Sequence, residues 1–207
     1  MNASIAYVQR SIDAVVRLAL RDTQALSLLD MTADGFYRSF AAMIIAAPLY
    51  AGFVAGGRSM LIKLAIANGH RFEPGQLEFG ARDFLLDGVR FVLLWLIFPV
   101  AALMMLRFLK QTARYSAMVI AYNWSAIIVM LLFNVPLALF GLGVATPFLA
   151  LLLLFTVFGF ALYYRFFLGV ATLQAGSSTA MAVAAINALI TFYIVFGIDA
   201  LEALLDS

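Results

Sequence analysis

Long runs without charge alternate along this chain with short clusters of Arg, Lys and Asp, and the runs have the length a bilayer demands. From Tyr115 to Tyr164 there are 50 residues with no charged side chain. A single helix of that length would reach about 75 Å at 1.5 Å per residue, against about 30 Å of hydrocarbon. The stretch therefore predicts two helices joined by a tight hairpin at Gly141 to Pro147. They are expected at about 116–140 and 147–164. Two further runs precede them, at about 39–57 between Arg38 and Arg58, and at about 84–106 before the basic connector Arg107, Lys110 and Arg114. After Arg165 a half-length apolar piece, 166–173, meets the small polar cluster Gln174 to Thr179, and a last run occupies about 180–198. Five spans result, in an all-α polytopic transmembrane bundle. A transmembrane barrel would show apolar and polar residues alternating over segments of about 10 residues, and Leu149 to Phe155 shows no alternation.

The N-terminal segment has a different pattern. From Ile5 to Leu29 apolar residues recur at helical spacing, with Ile5, Val8, Ile12, Val15, Val16 and Ala19 on one side and Arg10, Arg17 and Arg21 on another. This is an amphipathic helix. It can lie in the headgroup region or pack on the protein's own face. The pattern stops near Asp30, and Asp34 is the expected N-cap of the next helix. The chain thus divides into an amphipathic segment, 1–34, and a transmembrane domain, 35–207. Between the first two spans, Met60 to Ile66 is expected as an interfacial turn of helix and Asn68 to Gly75 as an exposed loop.

Composition agrees with this picture. Hydrophobic residues make up 65% of the 207 and charged ones 12%, with a mean hydropathy of +1.03; a soluble domain carries roughly twice that charged share. Arg10, Asp13 and Arg17 interrupt the early apolar run, so no cleaved signal is expected. A net charge of +2, scattered between apolar runs, gives no reason to expect a nucleic-acid partner. The absence of cysteine removes disulfides and thiolate chemistry. His70 is the sole histidine, without partners at ligand spacing, and Ser59 lacks the glycine of a nucleophile elbow. No catalytic, metal or cofactor site is expected, and no span offers a histidine for haem.

Orientation follows from basic residues near the spans. With the N-terminus inside, Arg10, Arg17, Arg21, Arg38, Arg107, Lys110, Arg114 and Arg165 are cytoplasmic and Arg58, Lys63, Arg71 and Arg82 external. Eight against four favours a cytoplasmic N-terminus and an external C-terminus, as in a prokaryotic inner membrane.

The polar residues within spans each have two readings. Asp87 and Arg90, three apart on one helix face, can pair; they either mark an intramembrane site or reach the interface from the first turns. Asn123, Asn134 and Asn187 either line a transport path or bridge neighbouring helices. Pro48, Pro99 and Pro136 could break helices and free carbonyls along such a path. Gly52 and Gly56, four apart, allow a neighbouring helix to approach closely. Phe148, Phe155, Phe158, Phe160, Tyr163 and Tyr164 suggest a pigment or quinone pocket or, for Tyr163 and Tyr164 beside Arg165, an interfacial belt.

The residues from Tyr164 to Ala182 comprise an aromatic-led apolar piece, a small polar turn and an alanine-rich opening of the final helix. This stretch, with the span order over 39–198, resembles the Yip family of small five-span membrane proteins with a cytoplasmic N-terminus, whose eukaryotic members take part in vesicle traffic. The acidic and aromatic motifs of those members are missing here, so the resemblance implies no Rab-type partner and carries over no functional residue. It implies a non-catalytic scaffold or accessory protein that binds or organises membrane components: lipids, other integral membrane proteins or further copies of itself. The rival expectation is a small transporter or permease subunit, which requires Asp87, Arg90, Asn123 and Asn187 to meet at one cavity. With the N-terminus inside and five spans, a reporter fused after Ser207 is active only if it works outside the membrane. Activity of a cytoplasmic reporter there contradicts the five-span topology.

Overall fold

The computed structural model describes residues 3–71 and 80–205, with side chains over 4–71 and 80–194; of the expected loop at Asn68 to Gly75, residues 72–75 lie outside the described residues. Seven α-helices form: α1 Ala3–Ala19, α2 Ala33–Ser39, α3 Ala41–Ala67, α4 Ala81–Phe108, α5 Tyr115–Gly141, α6 Pro147–Leu173 and α7 Ser177–Leu205. Short 3-10 turns at Thr23–Leu28 and Thr112–Arg114 link α1 to α2 and α4 to α5. Among the described residues there is no strand, and five helices are long and apolar enough to cross a membrane. The chain is an all-α, multi-pass membrane protein.

Local chemistry explains where the helices end. The Gly35 N–H donates to Thr32 Oγ1 at 3.1 Å, so Thr32, and not the expected Asp34, caps α2; Asp34 lies in its first turn. Thr146 caps α6 in the same way, with Pro147 opening the helix. Gly143, at φ +73, turns the hairpin before it. Several helices run past the expected spans. The Met60 to Ile66 piece is the continuation of α3, and 166–173 is the continuation of α6, which ends only where Gln174 adopts φ +52. Nothing in either stretch breaks a helix, so the charged residues at Arg58 and Arg165 are carried within helices instead of ending them. Conversely, the N-terminal helix stops at Ala19, where Arg21 takes φ +67, and does not continue to Leu29. Pro48, Pro99 and Pro136 all lie inside continuous helices. The expected half-helix breaks are not there, and the carbonyl of Pro99 accepts from the Tyr115 hydroxyl at 3.0 Å.

α5 packs on α3 and α6, α6 on α7, and α7 on α4, which returns to α5 and α3. A helix on the surface of a bundle buries one stripe, yet every residue from Met118 to Ser125 is buried. That part of α5 is enclosed by its neighbours, including α1 and α2. α1 takes the packed alternative on its apolar face. Ala14, Val15 and Leu18 are completely buried, the Tyr7 ring meets Trp124 edge-on at 5.6 Å, and the Tyr164 hydroxyl donates to the Val15 carbonyl at 2.6 Å. Tyr164 therefore leaves the expected interfacial belt, while Phe148 and Phe155 stay exposed. Most of the arginines nearby turn back on the protein: Arg17 pairs with Asp22 at 2.6 Å, Arg38 covers the Tyr7 ring at 4.0 Å, and Arg21 covers Tyr163 at 5.1 Å. The Arg17 guanidinium holds the Asp22 carboxyl below the usual aspartate range, and the Thr32 hydroxyl does the same for Asp30.

Gly52 and Gly56 seat α5 against α3. A Cβ on Gly56 would lie 3.0 Å from Leu137 Cβ, and one on Gly52 would lie 2.8 Å from Asn134 Oδ1. Asn134 uses this approach to donate to the Leu49 carbonyl at 2.9 Å, a bridge between the two helices. Gly56→Leu is expected to destabilise the bundle by about 1–3 kcal/mol through overpacking, read as a lowered unfolding midpoint in detergent. Gly57→Leu, at a glycine with open space around it, is the control; equal effects from both contradict this packing.

Candidate functional site

A cavity of about 250 Å³ lies between all five long helices. Its walls are mostly apolar, with Tyr50 and Phe53 from α3, Trp95 and Phe98 from α4, Val129, Met130 and Phe133 from α5, and Phe158 from α6. The polar exceptions are Tyr122 and Asn123 from α5, Arg165 from α6, and Asn187 and Thr191 from α7. On α5 and α6 the two kinds of lining are separated along the helix. On α5, Phe133 stands about 15 Å beyond Asn123 at 1.5 Å per residue; on the antiparallel α6, Phe158 stands about 10 Å from Arg165 in the same direction. The cavity has a polar end, towards the side where α1 and α2 pack, and an aromatic end deeper in the bundle.

Arg165 dominates the polar end. Its Nη1 donates to the Tyr122 carbonyl at 2.7 Å and to Ser125 Oγ at 2.8 Å, and its guanidinium lies over the Tyr122 ring at 4.7 Å. Tyr122 returns the contact, its hydroxyl donating to the Arg165 carbonyl at 2.6 Å, while Phe98 stacks on its ring at 4.9 Å. These are two reciprocal bonds and a cation–π contact. None of them neutralises the charge, and among the described residues no carboxylate lines the cavity.

The four residues expected to mark a site divide into two groups. Asn123 and Asn187 share the cavity; Asp87 and Arg90 do not line it. The Asp87 carboxylate accepts from Arg90 Nη1 at 2.7 Å, and both side chains are only 14% exposed. They form an ion pair, largely buried. Nor does the pair sit at the helix end, because α4 begins at Ala81 and places Arg90 about 13 Å along it. Asn123 also bridges, its amide donating to Ser39 Oγ at 2.9 Å and tying α5 to α2. The charge at the cavity is instead Arg165, which the sequence suggests as a loop residue because it ends a charge-free run. The signal available was the unbroken apolar stretch after it, which leaves nothing to stop the helix before Gln174. His70 and Ser59 are exposed.

No protein-family model matches the chain, no curated protein matches it, and no solved structure matches it.

If Arg165 is held by Tyr122 as a unit, removing both partners must cost less than the sum of removing each. Tyr122→Leu, which removes the ring beneath the guanidinium, and Arg165→Gln are expected to be non-additive by about 1 kcal/mol in a double-mutant cycle of unfolding midpoints. Simple additivity contradicts the coupling.

Proposed function

We propose that the protein is a non-catalytic integral membrane protein that binds a membrane-derived molecule in the cavity between its five helices. The observation that carries this reading is the lining: apolar and aromatic over most of its length, with one polar end, as expected of a site for a molecule that partitions into membranes. Such a site needs no nucleophile or metal, and its polar groups serve recognition. The Yip-like layout supports the same class of role, a scaffold or accessory protein among membrane components. Orientation with α1 and α2 on the cytoplasmic side is part of the proposal. Arg58, Lys63 and Arg165 lie more than a turn inside long helices; without them, seven cytoplasmic basic residues face two external ones.

One observation favours a second reading. Asn123, Arg165, Asn187 and Thr191 converge on the cavity from three helices, which is also what a small transporter would use. The Asp87–Arg90 pair lends it no support, because neither residue lines the cavity.

Purification in a mild non-ionic detergent, with mass spectrometry of what stays bound, tests the proposal. A lipid-derived molecule is expected to be retained by the wild type and by Ser59→Ala and His70→Ala, and lost from Ala126→Phe, which fills the cavity. Equal retention by Ala126→Phe overturns the assignment of the cavity. Solute flux in proteoliposomes that Ala126→Phe abolishes establishes the transporter instead.

A further inference from the structure

We infer that the cavity accepts a single-chain anionic amphiphile, with its carboxylate or phosphate head on Arg165 and Asn187 and its chain among Met130, Phe133 and Phe158. This rests on the proposed binding function and specifies the ligand's charge, shape and direction.

The charge follows from what Arg165 lacks. Both of its protein hydrogen bonds use Nη1, and both acceptors are neutral. Nε and Nη2 have no protein acceptor among the described residues, in a side chain that lines the cavity. A guanidinium presents its donors as a planar fork matched to two oxygens of a carboxylate or phosphate. Withdrawing a cation from water without a counter-charge is costly, and among the described residues no acidic side chain lines the space. An anion entering from the ligand supplies both the charge and the acceptors.

Asn187 is the second group without a partner. The Thr191 hydroxyl donates to its main-chain carbonyl at 2.9 Å, but its side-chain amide makes no hydrogen bond among the described residues, although it lines the same cavity. An amide N–H in the same cavity as a guanidinium adds a donor for an anion. The opposite end is lined by Met130, Phe133 and Phe158, and the polar side chain at that level, Thr191, already donates its hydroxyl to the Asn187 carbonyl. The shape is set by volume: about 250 Å³ falls below the roughly 300–1,000 Å³ typical of small-molecule sites. One chain and its head fit this description, and a complete two-chain phospholipid does not.

The protein carries its own probe. Trp95 lines the cavity and is only 5% exposed, so bulk lipid or detergent barely reaches it, and the other tryptophan, Trp124, is fully buried away from the cavity. In a Trp124→Phe background in non-ionic detergent, at mildly alkaline pH, a dibrominated stearate is expected to quench Trp95 saturably. Its uncharged methyl ester, at equal mole fraction, should need about tenfold more, the fold-change carried by a charge-assisted hydrogen bond. Arg165→Gln should bring the two together. Because that variant also loses the contacts to Tyr122, Asn187→Leu is the second arm; it leaves the Arg165 bonds intact and should reduce the preference for the anion about threefold or more. Equal saturable quenching by stearate and ester in the parent overturns this inference and leaves the binding reading standing. Quenching by neither overturns both. Displacement of the stearate by inorganic phosphate alone identifies a soluble anion site and also overturns the inference.

Discussion

In hydrocarbon a guanidinium has nothing to hydrogen-bond except the protein that carries it, and this constraint organises the structure around Arg165. The residue sits eight positions before the end of a helix of 27 residues, too far from the terminus to be ignored and too charged to face lipid. The helices around it respond. Tyr122 and Ser125 present a carbonyl and a hydroxyl, the Tyr122 ring provides a face for the cation, and Phe98 stacks on that ring. Unbonded backbone or charged groups cost several kcal/mol in such surroundings, so these contacts fix how α5 and α6 register against each other.

The same part of the bundle is where α1 and α2 close over α5. Trp124, beside Asn123, meets Tyr7; Asn123 binds Ser39; and Tyr164, beside Arg165, binds Val15. One layer of consecutive residues on α5 and α6 therefore faces the cavity on one side and the N-terminal helices on the other. The amphipathic helix is thereby fastened to the wall of the site by side chains adjacent in sequence to those that line it. Most of its nearby basic groups are engaged by Asp22, Tyr7 and Tyr163, so its basic character alone does not make it a lipid-binding surface.

Much of this fold was legible in the sequence because membranes simplify the code. Charge-free stretches gave five helices, and the Gly141 to Pro147 turn separated α5 from α6 close to where the structure places it. The close approach at Gly52 and Gly56 followed from the absence of side chains. What could not be read was any feature for which a neighbour supplies the missing partner. Arg165 resembled the end of a span because charge usually ends one; only Tyr122 and Ser125, 40 or more residues away, make its position tenable. Asp87 and Arg90 drew attention as ionisable groups in an apolar helix, but they pair with each other at 2.7 Å and do not line the cavity. Asn123 and Asn187 reached the cavity as the transporter expectation required, but without that pair.

The central claim is that the bundle keeps an un-neutralised cation at the polar end of an apolar cavity so that a ligand can complete it. An experimental structure of the protein extracted directly from its membrane, without added lipid, tests this most directly. The account predicts elongated density within the five helices, its head about 3 Å from Arg165 and its body running towards Phe133. A cavity occupied only by ordered water around Arg165, or closed by its own side chains, would contradict it.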